Sequence, residues 1–511
     1  MGCDRPDLRT VLISRARLQP SALAYGEGRS GRRLSYAQLC ESVEDWSGSF
    51  ALHGLRPGHR VGLQIADPLA FAVGYLSVIA SGLTAVPLAP TAPPEETSRL
   101  SALLGVDLLV SDSAEAADTI TWQAGSGGAT VPAPRGRRPQ TPLRSRDGEP
   151  AVILLSSGST GEPKAVPLAG DQLLRVAAGI SCHHQLWPGE VGYSPLPLFH
   201  VNAQVVGLLS AVVGGAGLVL EDRFRAGDFW AVAGSWQLTW LNLVPAMLTI
   251  LGAGAAPPEE VAERIRFARS ASAPLARGVQ RRFEETCGVS VLETYGMTEA
   301  ASQIAANPLP PAQRRPGSVG LPAGVEIRVV SGGGECAPGE VGEVCIRGAN
   351  VIREYLVPGL VESRRPAIDA RGWLPSGDLG WRDEAGFLYL NGRIDDVINR
   401  GGEKVFPREV EEILLSHPAV RDAAAVGVPH DVLGQATLAY VTSETGRDPD
   451  VLSAELTELC RRRLAPYKRP QAVLVVDALP KGATGKVRRL ALRQAPALPA
   501  SDERHPVAAS A

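Results

Sequence analysis

Residues 151–164 read Ala151-Val-Ile-Leu-Leu-Ser-Ser-Gly-Ser-Thr-Gly-Glu-Pro-Lys164. The apolar run predicts a strand over 151–155 that feeds directly into a loop of hydroxyls and glycines closed by a lysine. Glycines at 158 and 161 let the backbone adopt conformations in which consecutive N–H groups face one anion. Ser156, Ser157, Ser159 and Thr160 add hydroxyl donors, and Lys164 adds a positive charge. Such a loop suits a polyphosphate. It is not a Walker A loop, because Lys164 follows Glu-Pro three residues after Gly161 and no Gly-Lys-Ser/Thr opens a helix. Alone, a Ser/Gly-rich turn after a strand reads equally well as a plain flexible connection.

Outward from this loop, residues 10–122 alternate helical patterns (Ala37 to His53, Ala70 to Ser81) with short apolar strands (Arg60 to Ile65, Asp107 to Val110). That is the texture of βαβ packing. No residue between Asp67 and Glu95 is charged, a length that invites a membrane-span reading. The glycines, serines and prolines within it, and the lack of basic flanks, favour a buried helix followed by a strand at Ala85 to Leu88. Residues 123–149, rich in Gly, Pro and Arg, predict an irregular connection. The α/β alternation resumes to about residue 310, through the apolar run Val205 to Leu220 and a strand at Leu238 to Val244. From Gly317 to Gly392 the pattern changes to short β runs such as Val325 to Val330 and Gly342 to Arg347, with Gly332-Gly-Gly334 as a hairpin turn. Residues 396–490 predict a smaller α/β unit, with helices at Arg408 to Ser416 and Leu452 to Leu464 and strands at Val420 to Val428 and Ala472 to Val476.

Composition limits what such a chain does. At 511 residues it exceeds one ordinary core, and with 44% hydrophobic and 21% charged residues it has the makings of a folded enzyme. A net charge of -3 leaves no electrostatic footprint for nucleic acid or an anionic membrane, so a small-molecule partner is expected. Seven scattered cysteines, without a Cys-x-x-Cys pair, argue against a disulfide framework and for a reducing cytoplasm. The N-terminus reads as neither a signal peptide nor a myristoylation site. Cys182-His183-His184 lacks a second ligand pair at useful spacing for a metal. Only five lysines, at 164, 404, 468, 481 and 486, stand among 51 basic residues. Where arginine is the default cation, a retained lysine points to a task needing a compact, mobile ammonium.

Five stretches then occur in order: 154–166, 293–300 (Glu-Thr-Tyr-Gly-Met-Thr-Glu-Ala), 376–380 (Ser-Gly-Asp-Leu-Gly), 392–412 and 480–489. Together they resemble the adenylate-forming superfamily of acyl-CoA synthetases, adenylation domains and luciferases, over roughly residues 10–490. The resemblance implies an α/β fold. Its large N-terminal domain, 1–394, would hold two α/β sheets plus a β-rich subdomain; a small mobile α+β domain, 395–494, and a disordered tail, 495–511, would follow. It implies ATP and Mg²⁺ as cofactors, and a carboxylic acid converted to an acyl adenylate and then passed to a thiol, most simply CoA. The opening loop (Ser156, Ser157, Gly158, Ser159, Thr160, Gly161, Lys164) would wrap the β- and γ-phosphates. In Tyr295-Gly296-Met297-Thr298-Glu299 the ring would flank adenine, Thr298 would bond the α-phosphate and Glu299 would ligate Mg²⁺. Asp378 would accept the ribose hydroxyls beside Arg393, and Ser272, Ala273 and Pro274 would wall the adenine and acyl pocket. Lys486 resembles the lysine that bridges carboxylate and α-phosphate, Asp395 the hinge, and Arg400-Gly401-Gly402-Glu-Lys404 the thiol-channel loop. His200 resembles the residue at the acyl/thiol junction.

The acid itself is less legible: no aspartate suited to an α-amino group stands in the pocket segments, which points to a small or medium aliphatic or aryl acid. Ala271 and Ser272, where glycines are common in the family, would narrow the pocket. Ala165 and Ala169-Gly170 also depart from the family pattern, close to the nucleotide. Three other readings stay open: acyl transfer to a carrier-protein phosphopantetheine, ATP- and nitrite-dependent diazotisation of an aryl amine, and a non-catalytic nucleotide-binding partner protein. Oligomeric state has no sequence signature here.

Overall fold

The computed structural model describes residues 7–112, 119–121, 150–157, 163–357, 359–443, 447–482 and 486–494, with only the backbone of 119–121, 157, 163 and 360–362. The connection at 123–149, the loop residues Gly158, Ser159, Thr160 and Gly161, and the tail 495–511 lie outside them. The chain divides into two compact units with the boundary between Asp395 and Asp396.

The first unit is built on three sheets. One runs in the order Leu321–Pro322, Ser302–Ala306, Val291–Met297, Phe267–Ser270, Trp240–Leu243, Val191–Ser194, Gly217–Leu220, Leu23–Glu27, Arg33–Ser35. Its strands from Val291–Met297 through Leu23–Glu27 are parallel. Ligands of such sheets collect at the carboxyl ends of the strands. The second sheet runs Leu360–Pro366, Glu354–Val357, Pro163–Leu168, Val152–Ser157, Thr84–Pro87, Arg60–Gln64, Leu108–Ser111, Thr119–Thr121. The third is antiparallel: Gly334–Glu335, Glu326–Ser331, Gly342–Arg347, Leu374–Arg382, Leu388–Arg393.

Local chemistry sets the helix starts. Ser35 and Gln38 form a reciprocal capping box that opens the helix Tyr36–Leu52. Asp67 caps Pro68–Ala80, its Oδ1 accepting from the Ala70 N–H at 2.8 Å, with proline at the first helical position. Every residue from Pro68 to Val78 is buried, which is why this stretch carries no charge. No described helix is long and apolar enough to cross a membrane. Trp46, Phe50, Phe71, Tyr75, Trp240 and Phe267 anchor the core over which the parallel strands lie.

One expectation needs correction. Strands Glu354–Val357 and Leu360–Pro366 lie within the stretch read as the β-rich subdomain, yet they join the second sheet, where Leu356 pairs with Ala165. Burying Tyr355 and Leu356 against Pro163–Leu168 is what draws the hairpin there. The apolar run 205–220 spans helix and strand: a π-helix, Asn202–Leu209, passes into a short α-helix, Ser210–Gly214, and then the strand Gly217–Leu220.

The second unit packs helices Pro407–Leu415 and Pro449–Arg463 on a sheet ordered Glu403–Val405, Ile398–Arg400, Gly434–Ser443, Val420–His430. Ala472–Val475 pairs in parallel with Gly434–Ser443. That central strand, bonded to three others, was absent from the sequence expectation.

Candidate active site

The strand Val291–Met297 and the 3-10 turn Thr298–Ala300 after it carry one motif into two neighbouring clusters. A bulge between Tyr295 and Gly296 re-aims the strand end. Only glycine fits at 296, because a Cβ there would lie 1.9 Å from the Ser302 carbonyl oxygen.

In the first cluster the Tyr295 hydroxyl donates to Asp378 Oδ2. Arg393 faces the same carboxylate, Nη1 lying 3.2 Å from Oδ1 while also donating to the Ser376 carbonyl at 2.9 Å. Asp378 and Arg393 sit opposite each other in the antiparallel pair Leu374–Arg382/Leu388–Arg393, so the sheet register itself sets this contact. Burial, then the Asp378 charge, pushes the Tyr295 phenol well above its usual range, so it stays a donor. Burial opposes the Arg393 charge, but Asp378 outweighs it and raises the guanidinium. Each carboxylate oxygen has two acceptor positions, so one remains on each for an incoming pair of hydroxyls.

Glu299 organises the second cluster and is only 8% exposed. The Tyr355 hydroxyl donates to its Oε1 at 3.2 Å, and Ser156 Oγ approaches the same oxygen at 3.5 Å. Lys164 Nζ stands 5.2 Å from the centre of the Tyr355 ring, a cation–π contact. Ser156 and Lys164 face each other across the hairpin that flanks the loop. Tyr355 was not among the sequence candidates. Among the described residues every contact to the Glu299 carboxylate falls on Oε1, leaving Oε2 for a cation. No group of three metal-ligating side chains occurs among the described residues. One carboxylate fits Mg²⁺ that arrives on a polyphosphate, since that ion keeps water and phosphate oxygens as its remaining ligands.

A third group lies beyond the carboxyl ends of neighbouring strands. Ser272 follows the strand Phe267–Ser270 with φ of +71°, and Asn202 Nδ2 donates to its Oγ at 3.0 Å. A serine in the left-handed region is strained by about 1 kcal/mol or more, a cost that persists where neighbours hold the residue in place. Ala271 beside it is buried, Ala273 half-buried and Pro274 exposed. His200 lies against Phe199, ring centroids 4.4 Å apart and tilted by 45°, just before the π-helix. Ala165 is buried between its two partner strands, and Ala169 precedes the helix Gly170–His184, its N–H donating to Gln172 Oε1 at 2.8 Å.

The remaining candidates belong to the second unit, apart from Asp395, which ends the first. Lys486 is exposed, and its carbonyl accepts from the Gly482 N–H at 2.8 Å. Lys468 and Lys481 pair with Glu409 at 2.6 Å and Asp422 at 2.8 Å. Gly401 and Gly402, with φ of +61° and +93°, turn the hairpin Ile398–Arg400/Glu403–Val405, and Asn399 Oδ1 accepts from the Gly402 N–H. Arg400 ties this turn to the carbonyls of Pro466 and Tyr467 at 3.0 and 2.9 Å. A Cβ at Gly402 meets nothing within 4 Å, so a substitution there acts through the positive φ alone. Gly402→Val is expected to slow thioester formation at least ~10-fold more than adenylate formation. Separate assays of pyrophosphate release and acyl-CoA check it; equal losses in both would count against a role for the turn in the second step.

Residues 12–356 match the family of AMP-binding enzymes, and residues 409–486 match the AMP-binding enzyme C-terminal domain. The chain is 36% identical to the sulfoacetate–CoA ligase of Cupriavidus necator, over 91% of this chain and 92% of that protein. It is 33% identical to the oxalate–CoA ligase of Arabidopsis thaliana, over 90% and 93%. Among solved structures, the o-succinylbenzoate CoA synthetase of Bacillus subtilis with its acyl-adenylate intermediate superposes with a TM-score of 0.81 at 28% identity, covering 96% of this chain and 99% of that one. With both family regions in order and full-length likeness on either side, this chain belongs to the AMP-binding enzymes, the adenylate-forming superfamily.

Proposed function

We propose that the acid activated by this enzyme is small and carries a second anionic group. The enzyme is an ATP-dependent acid–CoA ligase: with Mg²⁺ and ATP it forms an acyl adenylate and pyrophosphate, then gives the acyl group to CoA. The observation that carries the finer reading is shared chemistry among the compared proteins. Sulfoacetate, oxalate and o-succinylbenzoate each bear one carboxylate to activate and a further sulfonate or carboxylate.

In this reading the acid carboxylate attacks the α-phosphorus of ATP in line, the P–O bond to pyrophosphate breaks, and protein groups position and neutralise the charge that develops. Asp378, held by Tyr295 and Arg393, uses its remaining acceptor sites for the ribose hydroxyls. Glu299 supplies the carboxylate for Mg²⁺, and Ser156, Lys164 and the loop between them hold the outer phosphates. Thr298 bonds the α-phosphate. Lys486 acts in the first step and the Gly401–Gly402 turn in the second.

The test is product analysis by mass spectrometry with Mg-ATP and CoA. The panel pairs oxalate, malonate, succinate and sulfoacetate with acetate, propionate and butyrate, and adds a nitrite and aryl-amine well and an acceptor well with phosphopantetheinylated carrier protein. AMP together with the CoA thioester of a dianionic acid is expected, at a kcat/KM at least ~10-fold above its monoanionic partner. A preference for monoanions, or AMP formed solely with nitrite and amine, would overturn the proposal.

A further inference from the structure

We infer that Arg269 receives the distal anionic group of the acid and is thereby a specificity-determining residue. This rests on the dianionic reading above, and it begins from a buried cation with no carboxylate beside it among the described residues. Arg269 lies on the strand Phe267–Ser270 and is 1% exposed. Its Nη1 donates to Asn242 Oδ1 at 2.9 Å and to Asn202 Oδ1 at 3.2 Å. Both acceptors are neutral amides, and Nε has no hydrogen-bond partner. Among the described residues no carboxylate lies within ion-pair distance of this guanidinium. The other titratable groups that feel it are His183 and His184, both lowered by burial and by its charge. Among the described residues nothing negative offsets it, and burial pulls it down to about 9.

An unpaired buried cation is among the most costly features a core contains, and apolar residues of similar volume would fill the space more stably. The position of Arg269 suggests what completes it. Asn242 is its register partner on the adjacent parallel strand, so the two side chains share one face near the strand ends where ligands collect. Asn202, its other acceptor, also donates to Ser272, in the segment proposed as the acyl wall, and stands two residues from His200. The guanidinium is therefore one amide away from that wall. A carboxylate or sulfonate there would accept from the donors that no protein group takes up. Asn202 and Asn242 would keep the fork oriented without competing in charge. A monoanionic acid spends its one carboxylate at phosphorus and leaves Arg269 as it stands.

The test compares wild type, Arg269→Met and Arg269→Lys, using malonate against propionate and succinate against butyrate, with CoA thioester formation as the readout. In Arg269→Met the ratio of kcat/KM for diacid over monoacid is expected to fall by about 100-fold, with most of the loss in KM for the diacid. Arg269→Lys, which keeps a cation, is expected to retain a preference for the diacid and guards against misfolding of the methionine variant. A merely structural arginine would lower both acids alike and leave the ratio in place; that outcome overturns the assignment while the dianionic reading stands. If the wild-type enzyme itself shows no preference for the diacids, the reading fails and the assignment with it.

Discussion

Glu299→Gln is expected to lower kcat for AMP formation by about 100- to 1,000-fold. The substitution keeps size and shape, and an amide oxygen can still accept from Tyr355 and Ser156, whose contacts fall on Oε1. What goes is the negative charge of a largely buried side chain, where it is worth more than in water. An amide is also a poor ligand for a hard divalent ion. The measurement is AMP release over a Mg²⁺ titration, with thermal unfolding as a control for folding. A loss below ~5-fold at saturating Mg²⁺ would remove Glu299 from the first step. Removing the carboxylate also removes one cause, second to burial, that holds the Tyr355 phenol above its usual range.

Lys486→Ala is the second large effect. AMP formation is expected to fall at least ~1,000-fold, because in the proposed role the ammonium would act on charge present only as the bond changes. ATP binding, read by calorimetry, should persist, since the nucleotide contacts proposed above lie on other residues. Acyl-CoA formation from synthetic acyl adenylate should be far less affected than the first step. Lys481→Ala is the control: its ammonium is held by Asp422, and AMP formation should change less than ~3-fold. Undiminished AMP formation in Lys486→Ala would remove the lysine from the mechanism.

The sequence was most legible where the signal is local. The turn Ser331–Gly334, the strand Gly342–Arg347 and the capped helix Tyr36–Leu52 all carry their cause within a few residues. Tyr295 and Glu299 were legible because they belong to a contiguous motif. Tyr355 was not, because its place beside Glu299 and Lys164 depends on Leu356 pairing with Ala165, and no local pattern records that pairing. Gly434–Ser443 escaped for a related reason: it opens on a glycine with φ of +72° and mixes Gln, Thr and Ser among its apolar residues, although it is the central strand of its sheet. Arg269 was visible as a letter in a familiar segment; that no described carboxylate stands beside it is a property of three dimensions.

The π-helix Asn202–Leu209 makes this region of the chain sensitive to its length. Its wider winding accommodates more residues per turn than an α-helix, and each residue moved along an α-helix swings a side chain by about 100°. Removing a single residue between Asn202 and Leu209 would therefore change the angular phase between Asn202 and everything downstream, including the buried Val212 and the strand Gly217–Leu220. The direction in which Asn202 faces relative to the elements after it is governed by a length variable as well as by residue identity. Libraries that vary the number of residues here would explore side-chain arrangements around Asn202 that point substitutions do not reach.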